Sequence, residues 1–431
     1  MRCILTCVAL LSSMACSPVS KQALNRNFRN VEQRFQDHTG FVLYDVKKKS
    51  TVFTYNGEKY FTPASNTKIF TFYTALTVLG DSVPGLYYAE LGDSLIFWGS
   101  GDPSFLYDRV AQGNQVFDFL KDSSKELFFS PDNFSTTQLG PGWAWSDYNF
   151  AYSAERSPLP VYGNTYIVTQ PSSEGIRVTP PHFKPYFWLA DSLSRSDVVR
   201  ELGSNRTDFY PGKAPASQAE WRVPFRTDPF TISNLLEDTL KKRVTLTRAP
   251  VAGIKTKMVY NVHADSLYKV MMQASDNFIA EQLLLVCAGV LSDTLKPEIA
   301  IRHMKRNQLS NLADSPVWVD GSGLSRYNLF TPRSIVSLWE MIYGQVNRER
   351  LFQLLAVGGK SGTLRSSYVN DPPYIYGKTG TLSNNHSLSG FLITRKGEVL
   401  IFSYMSSNFT VPVSEVRKEM ERILKLIHEK Y

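Results

Sequence analysis

Three short motifs carry side chains that could perform acyl transfer. They are Ser65-Asn66-Thr67-Lys68, Ser275-Asp276-Asn277 and Lys378-Thr379-Gly380. A serine hydroxyl is a weak nucleophile unless a base lies beside it. Ser65 and Lys68 are three residues apart, so they would share one face of a helix. The motifs together predict a serine nucleophile activated by a lysine.

The first two motifs supply the predicted base, oxyanion donor and proton relay. Lys68 can act as a base only when it is neutral, and burial together with a second ammonium at Lys378 would lower its pKa. Ser65 at a helix start would place a backbone N–H and the positive end of the helix dipole beside the developing oxyanion. Ser275 and Asn277 are the candidates to relay protons and to hold the substrate amide.

The third motif is predicted to lie on an exposed strand, to which an extended peptide could pair as an added strand. Gly380 would let that peptide approach closely, because it has no side chain. Lys378 and Thr379 are the candidates to bind a terminal carboxylate. The N–H of Thr381 is the candidate second oxyanion donor.

Other kinds of site find no support in the sequence. The six histidines show no paired metal-ligand spacing, and the GxGxxG, P-loop and GxSxG patterns are absent. We therefore expect no metal and no cofactor. The formal charge of +8 comes from scattered residues, which indicates mild solvated basicity or an anionic polymer or membrane surface nearby. Nucleic-acid binding is not expected, because no basic stripe is present.

The first sixteen residues predict an export signal. A positively charged start precedes an apolar stretch at 4–11, which is too short to span a bilayer. Ser13 and Ala15 fit ordinary signal cleavage, but Ala15-Cys16 also resembles a bacterial lipobox. We favour a lipidated Cys16, and hence an exported, periplasmic protein held at the membrane by a lipid anchor. Cys287 is expected to be buried in a helix, so no disulfide framework is predicted.

The elements that must position the three motifs are predicted at both ends of the chain. A hairpin at 41–55 and a helix from Ser65 to residue 79 come first; helices at 264–272 and 276–289, a hairpin at 388–405 and a helix from about 414 come last. The stretch between them is β-rich and dense in turns. We predict an α/β chain with a signal peptide (1–15), an exposed tether and a short first helix near 31–35 (together 16–38), a catalytic domain (39–90 and 251–431) and an insertion (91–250).

The motifs and their surroundings resemble the D-alanyl-D-alanine carboxypeptidase/endopeptidase family of class C low-molecular-mass penicillin-binding proteins, typified by penicillin-binding protein 4. The resemblance covers about 38–405. It also rests on the stretches 99–104, 142–164, 320–326 and 362–365, the last two interpreted as tight turns that support the site. It implies the penicillin-binding protein/β-lactamase-like transpeptidase fold, an antiparallel sheet flanked by helices and interrupted by a β-rich insertion. Ala154-Glu155-Arg156 departs from the usual G-A-P, and a lipid anchor is not usual for the family.

The resemblance implies a serine D-Ala-D-Ala carboxypeptidase, an endopeptidase, or both. The substrate would be peptidoglycan stem peptides, cleaved through an acyl-enzyme on Ser65, and β-lactams would be covalent inhibitors. Two alternatives stay open at this point. A serine β-lactamase is one, since S-D-N and K-T-G also occur in class A enzymes, although those are much shorter between the first two motifs. A non-catalytic wall-binding lipoprotein is the other, and the complete motifs argue against it.

Overall fold

The chain folds into helices and strands in mixed order. A computed structural model describes residues 20–111, 114–170, 175–191, 196–212 and 219–431. The predicted signal peptide and Cys16 lie outside the described residues. Within them the α-helices are Lys21–Phe35 (α1), Lys68–Val78 (α2), Gln115–Asp122 (α3), Pro229–Leu240 (α4), Ala264–Gln273 (α5), Asn277–Ser292 (α6), Pro297–Asn307 (α7), Pro332–Gln345 (α8), Arg348–Leu354 (α9) and Val413–Lys430 (α10).

The strands lie near both ends of the chain and through its middle. They are His38–Asp45 (β1), Ser50–Tyr55 (β2), Ser82–Leu91 (β3), Ser94–Gly99 (β4), Glu126–Phe129 (β5), Thr165–Gln170 (β6), Arg177–Thr179 (β7), Phe187–Leu189 (β8), Asp197–Arg200 (β9), Thr207–Tyr210 (β10), Ala219–Pro224 (β11), Val244–Leu246 (β12), Lys257–His263 (β13), Ala356–Val357 (β14), Ile375–Leu382 (β15), Asn385–Ile393 (β16) and Val399–Ser407 (β17).

The main sheet joins the two ends of the chain. Its strand order is β14-β15-β16-β17-β1-β2, and all neighbours are antiparallel. Side chains of β1 alternate between the two faces, as a strand buried on both sides requires. Phe41 and Leu43 pack into the apolar cluster with α1 and α10, whereas Val42 and Tyr44 join the cluster with α2, α6 and α8. The predicted antiparallel sheet flanked by helices is therefore confirmed.

A second sheet is built from the middle of the chain. Its order is β12-β5-β4-β3-β13, and its outer strand β13 pairs antiparallel with β3. Two smaller sheets, β8-β10-β9 and β11-β6-β7, also belong to this stretch. A separate apolar cluster, which includes Phe97, Phe129 and Leu236, packs these elements together with α3 and α4. The limits of the insertion, residues 91 and 250, stay a prediction. The second sheet extends beyond them on both sides, because it also contains the paired strands at 82–91 and 257–263.

The first helix is longer than the sequence analysis expected. Part of the segment 16–38 was predicted to be an exposed tether, but α1 already begins at Lys21. The buried residues Leu24, Phe28, Val31 and Phe35 recur at the spacing of one helix face, which packs against the main sheet. The ring of Phe28 stacks on that of Phe41 with centroids 4.7 Å apart. This apolar contact explains why the segment is helical rather than free.

Two further features concern helices. Cys287 is a free, buried thiol in α6, as the apolar run around it predicted. Among the described residues, the helices include none with the length and apolar character needed to cross a membrane.

Candidate active site

Ser65 and Lys68 meet where the first motif turns into a helix. Ser65 lies in a short 3₁₀ turn, Ala64–Thr67, and α2 begins at Lys68. The Lys68 Nζ atom donates a hydrogen bond of 2.9 Å to the Ser65 Oγ atom. A neutral amine at this distance can take the hydroxyl proton. The two side chains thus have the arrangement that their spacing indicated.

The Lys68 amine has two further acceptors. It donates to the Asn277 Oδ1 atom at 2.6 Å and to the Ser322 carbonyl at 2.7 Å. Three acceptors match the three N–H groups of an ammonium. After loss of one proton, two N–H groups remain for Asn277 and Ser322, and the lone pair can face Ser65. The arrangement therefore serves both protonation states of Lys68.

Lys378 lies on β15 of the main sheet. Its Nζ atom donates to the Ser275 Oγ atom at 2.8 Å and to the Thr379 carbonyl at 2.7 Å. Ser275 precedes α6 and has a left-handed backbone, with φ at 60°. The structure thus brings Ser65, Lys68, Ser275 and Lys378 to one site, although they come from distant parts of the chain.

Burial controls the protonation of both lysines. It lowers the pKa of Lys68 to about 8, against the opposing effect of the carboxylates of Asp320, Glu281 and Asp276. Burial, and then the Lys68 ammonium, lower the pKa of Lys378 well below its ordinary value. Burial, one of the two causes expected from the sequence, is the largest cause of the low Lys68 pKa and makes Lys68 available as a base near neutral pH.

Asp276 fixes the second motif in place. Its Oδ1 atom accepts the N–H of Ile279 at 3.0 Å and caps α6. Its Oδ2 atom accepts from the Tyr107 hydroxyl at 2.8 Å and from Arg109 Nη1 at 3.1 Å. These contacts anchor the turn that carries Ser275 and the first residue of α6, Asn277.

Asn66 connects the nucleophile turn to the main sheet. Its Nδ2 atom donates to the Lys378 carbonyl at 3.0 Å and to the Ser387 hydroxyl at 2.9 Å. Its Oδ1 atom accepts from the Ser389 hydroxyl at 2.5 Å. Asn66 therefore ties the Ser65 turn to β15 and β16.

The third motif lies along a sheet edge that is partly open. In the described chain, β14 pairs with β15 only at Tyr376 and Gly377, so residues from Lys378 onward have no strand on that side. At Gly380, an added Cβ atom would lie 2.6 Å from the Pro63 carbonyl and 2.8 Å from the Ser65 nitrogen. Only glycine allows this close approach. A peptide added at this edge would pass directly beside Ser65.

Two cavities meet at Ser65. The larger has a volume of about 810 Å³, and its lining includes Asp147, Tyr152 and Asn277. The smaller, of about 350 Å³, is lined in part by Ser275 and Thr379. Thr381 borders both cavities. A substrate lying across Ser65 would place its acyl part in one cavity and its leaving group in the other.

Several site residues were not found by sequence reasoning. Thr363 accepts a hydrogen bond of 2.7 Å from the Thr379 hydroxyl, so the 362–365 turn lines the smaller cavity as well as supporting it. Arg417 on α10 reaches the same cavity and donates to Thr381 Oγ1 at 3.3 Å. Its only signal in the sequence is an exposed position on an amphipathic helix, which looks like ordinary surface. The Ser322 carbonyl is a backbone atom and left no signal.

The comparisons with known proteins agree with this geometry. Residues 21–427 match the model of the D-Ala-D-Ala carboxypeptidase 3 (S13) family. The chain belongs to this family. It is 23% identical to the D-alanyl-D-alanine carboxypeptidase DacB of Haemophilus influenzae over 426 residues, which cover 88% of this chain and 87% of that protein. The predicted family and enzyme class, a serine-type D-Ala-D-Ala carboxypeptidase, are confirmed.

Solved structures of other proteins show the same fold. The crystal structure of penicillin-binding protein 4 from Haemophilus influenzae matches with a TM-score of 0.77 at 20% identity, covering 94% of this chain and 100% of that one. The same protein in complex with a β-lactam matches with a TM-score of 0.70 at 19% identity, covering 93% and 98%. The predicted transpeptidase fold is therefore confirmed.

Proposed function

We propose that this chain removes the terminal D-Ala from peptidoglycan stem peptides through an acyl-enzyme on Ser65. The observation that carries the proposal is the buried Lys68 amine, 2.9 Å from the Ser65 hydroxyl. Membership of the S13 family supports the substrate class. The β-lactam complex of the Haemophilus influenzae relative supports β-lactams as inhibitors.

In the proposed acylation, the Ser65 Oγ atom forms a bond to the carbonyl carbon of the penultimate D-Ala, and Lys68 takes the hydroxyl proton. The N–H groups of Ser65 and Thr381 are the proposed oxyanion donors. The carbon–nitrogen bond then breaks, and Lys68 passes the proton through Ser275 to the leaving amine. Neutral Lys68 next accepts a proton from the water that adds to the ester, and it returns this proton to the Ser65 oxygen as the bond to Ser65 breaks. The enzyme is then regenerated.

The smaller cavity is the proposed place of the leaving group. The leaving D-Ala carries a carboxylate, for which Thr379, Thr363 and Arg417 supply hydroxyl and guanidinium donors. The arriving carboxylate would favour the ammonium form of Lys378, which would then contribute a positive charge. The acyl part would lie along β15 at Gly380 and reach into the larger cavity.

Product analysis of defined muropeptides tests the proposal. We expect a pentapeptide muropeptide to lose one alanine, as measured by mass spectrometry, and penicillin to label the protein with slow release. Cleavage of a cross-linked dimer into monomers would add endopeptidase activity. Rapid turnover of penicillin with unchanged muropeptides would instead identify a β-lactamase. Binding to cell walls with neither labelling nor cleavage would identify a non-catalytic wall-binding protein.

We propose in addition that Cys16 becomes the lipidated N-terminus of an exported protein anchored in the membrane. The cysteine follows a short apolar stretch at the point where cleavage is expected. Two or three acyl chains are expected, since one chain anchors weakly. Intact-mass analysis of membrane-extracted protein should show the added lipid, and Cys16→Ala should release the protein from the membrane fraction. An unmodified Cys16, or a chain that starts elsewhere, would contradict this proposal.

A further inference from the structure

A buried ion pair lies behind the Lys68 amine and has no role in the steps proposed above. Arg156 donates to the Glu281 Oε2 atom through Nε at 3.0 Å and through Nη2 at 2.6 Å. Both side chains are 1% exposed. The Arg156 guanidinium also packs over the Trp143 ring at 5.3 Å. Burying two charges carries a large desolvation cost, so a buried ion pair contributes little net stability. The presence of this pair therefore needs an explanation other than stability.

Two hydrogen bonds connect this ion pair to Lys68. The Glu281 Oε1 atom accepts the backbone N–H of Ser322 at 2.7 Å. The carbonyl of the same Ser322 accepts from the Lys68 Nζ atom at 2.7 Å. Arg156 therefore holds the carboxylate that fixes the backbone of Ser322, the residue whose carbonyl binds the amine of Lys68. Arg156, the last residue of the departure noted at Ala154-Glu155-Arg156, is thus connected to the proposed base through Glu281 and Ser322.

The charges that face Lys68 come from three elements. Glu281 and Asp276 lie on or next to α6, Asp320 lies in the 320–326 turn, and Lys378 lies on β15. Each of the three carboxylates favours the ammonium form of Lys68.

Arginines offset two of these three carboxylates. Arg109 contacts Asp276 at 3.1 Å, and Arg156 contacts Glu281 at 2.6 Å. Asp320 instead accepts from neutral donors, the N–H groups of Gly323 and Ser325 and the side chains of Trp143 and Asn328. The insertion segment therefore supplies a cation to each carboxylate that borders Lys68 from α6.

We propose that Arg156 is a positioning residue that keeps Lys68 able to lose its proton, by compensating the charge of Glu281 and fixing the Ser322 carbonyl. The inference rests on the proposed function, in which neutral Lys68 is the base. Without Arg156, the uncompensated Glu281 carboxylate would stabilise the Lys68 ammonium. Fewer molecules would then hold Lys68 in its basic form at neutral pH.

The pH dependence of acylation by a fluorescent penicillin tests this inference. Arg156→Met should move the acidic limb of the rate profile to higher pH by about one unit. At each pH on the acidic limb, the acylation rate of this variant should be about tenfold lower than that of the wild type. On the alkaline plateau the two rates should stay close. Arg156→Lys keeps the charge and should leave the limb near its wild-type position.

Two further variants keep the test valid if Arg156→Met does not fold. Glu281→Gln removes the carboxylate and should move the limb to lower pH. The double variant Arg156→Met/Glu281→Gln removes both charges and should return the limb towards the wild-type value. Arg200→Met is the matched control for loss of a buried arginine: Arg200 packs over the Tyr148 ring at 5.3 Å and donates to backbone carbonyls. It should lower the melting temperature without moving the limb.

An equal loss of rate at every pH in Arg156→Met would show a merely structural role and would overturn the inference. An unmoved limb in both Arg156→Met and Glu281→Gln would overturn it too. Failure of the proposed function looks different: Lys68→Arg would then be acylated at the wild-type rate, whatever the Arg156 variants do.

Discussion

Ser65→Ala is expected to abolish covalent labelling by penicillin and release of D-Ala. The change removes the only oxygen that could form the proposed ester, so the rate should fall by about 10⁴-fold or more. The fold should survive, because Lys68 keeps Asn277 and Ser322 as acceptors. Loss of one hydrogen bond changes stability by about 1 kcal/mol. Gel fluorescence, peptide mapping of the label and thermal unfolding measure these results.

The chain contains its own matched control for Ser65→Ala. A second S-x-x-K occurs at 266–269, on α5. Ser266→Ala should label and hydrolyse like the wild type. Labelling that persists in Ser65→Ala, or that maps to a different peptide, would reject Ser65 as the nucleophile.

Lys68→Arg is expected to be almost as damaging as Ser65→Ala. Arginine keeps the positive charge but cannot lose its proton in a protein. Loss of a general base lowers the rate by about 10³-fold. Because the two residues act as one unit, the double variant should be little worse than either single variant. Lys269→Arg, in the second S-x-x-K, is the control and should leave acylation unchanged.

The assignment of Lys68 as the base also predicts how the acylation rate of the wild type depends on pH. The Lys68 pKa of about 8 means that the basic form predominates only above that pH. Acylation should therefore rise with pH, level off above about 8, and fall about tenfold for each unit below it. Robust acylation of Lys68→Arg would shift the base assignment towards Ser275. A flat wild-type profile across this range would also contradict the assignment.

The contact within the first motif could be predicted from local spacing alone. Ser65 and Lys68 share one turn of chain, so their contact follows from helical geometry. The meeting of these residues with Ser275 and Lys378 depends on sheet pairing between distant segments. It was expected from the resemblance to a family rather than from the spacing itself. The continuous apolar run at 41–44 and the apolar stripe at 416–427 similarly predicted β1 and α10.

Other parts of the site depend on tertiary contacts that leave no local pattern. The Ser322 carbonyl is a backbone atom, and Arg417 occupies an exposed helix position that many surface arginines share. Glu281 had a usable signal: it stands in α6 among residues that are buried on every side. A carboxylate at such a position requires a partner, but the sequence alone could not identify Arg156. The sequence indicated that burial would lower the Lys68 pKa, but the extent of that burial depends on the complete fold.

The strand order of the main sheet also has a consequence for the timing of folding. The second sheet can complete its pairing once β13 is present, whereas β1 pairs with β17, near the end of the chain. Contacts between such distant segments form slowly, because a long loop must be closed first. Lys378 lies on β15, which is joined through β16 to β17, so it reaches Ser65 and Lys68 only when this sheet has formed. A partly folded chain therefore carries all the catalytic side chains before they are assembled into one site.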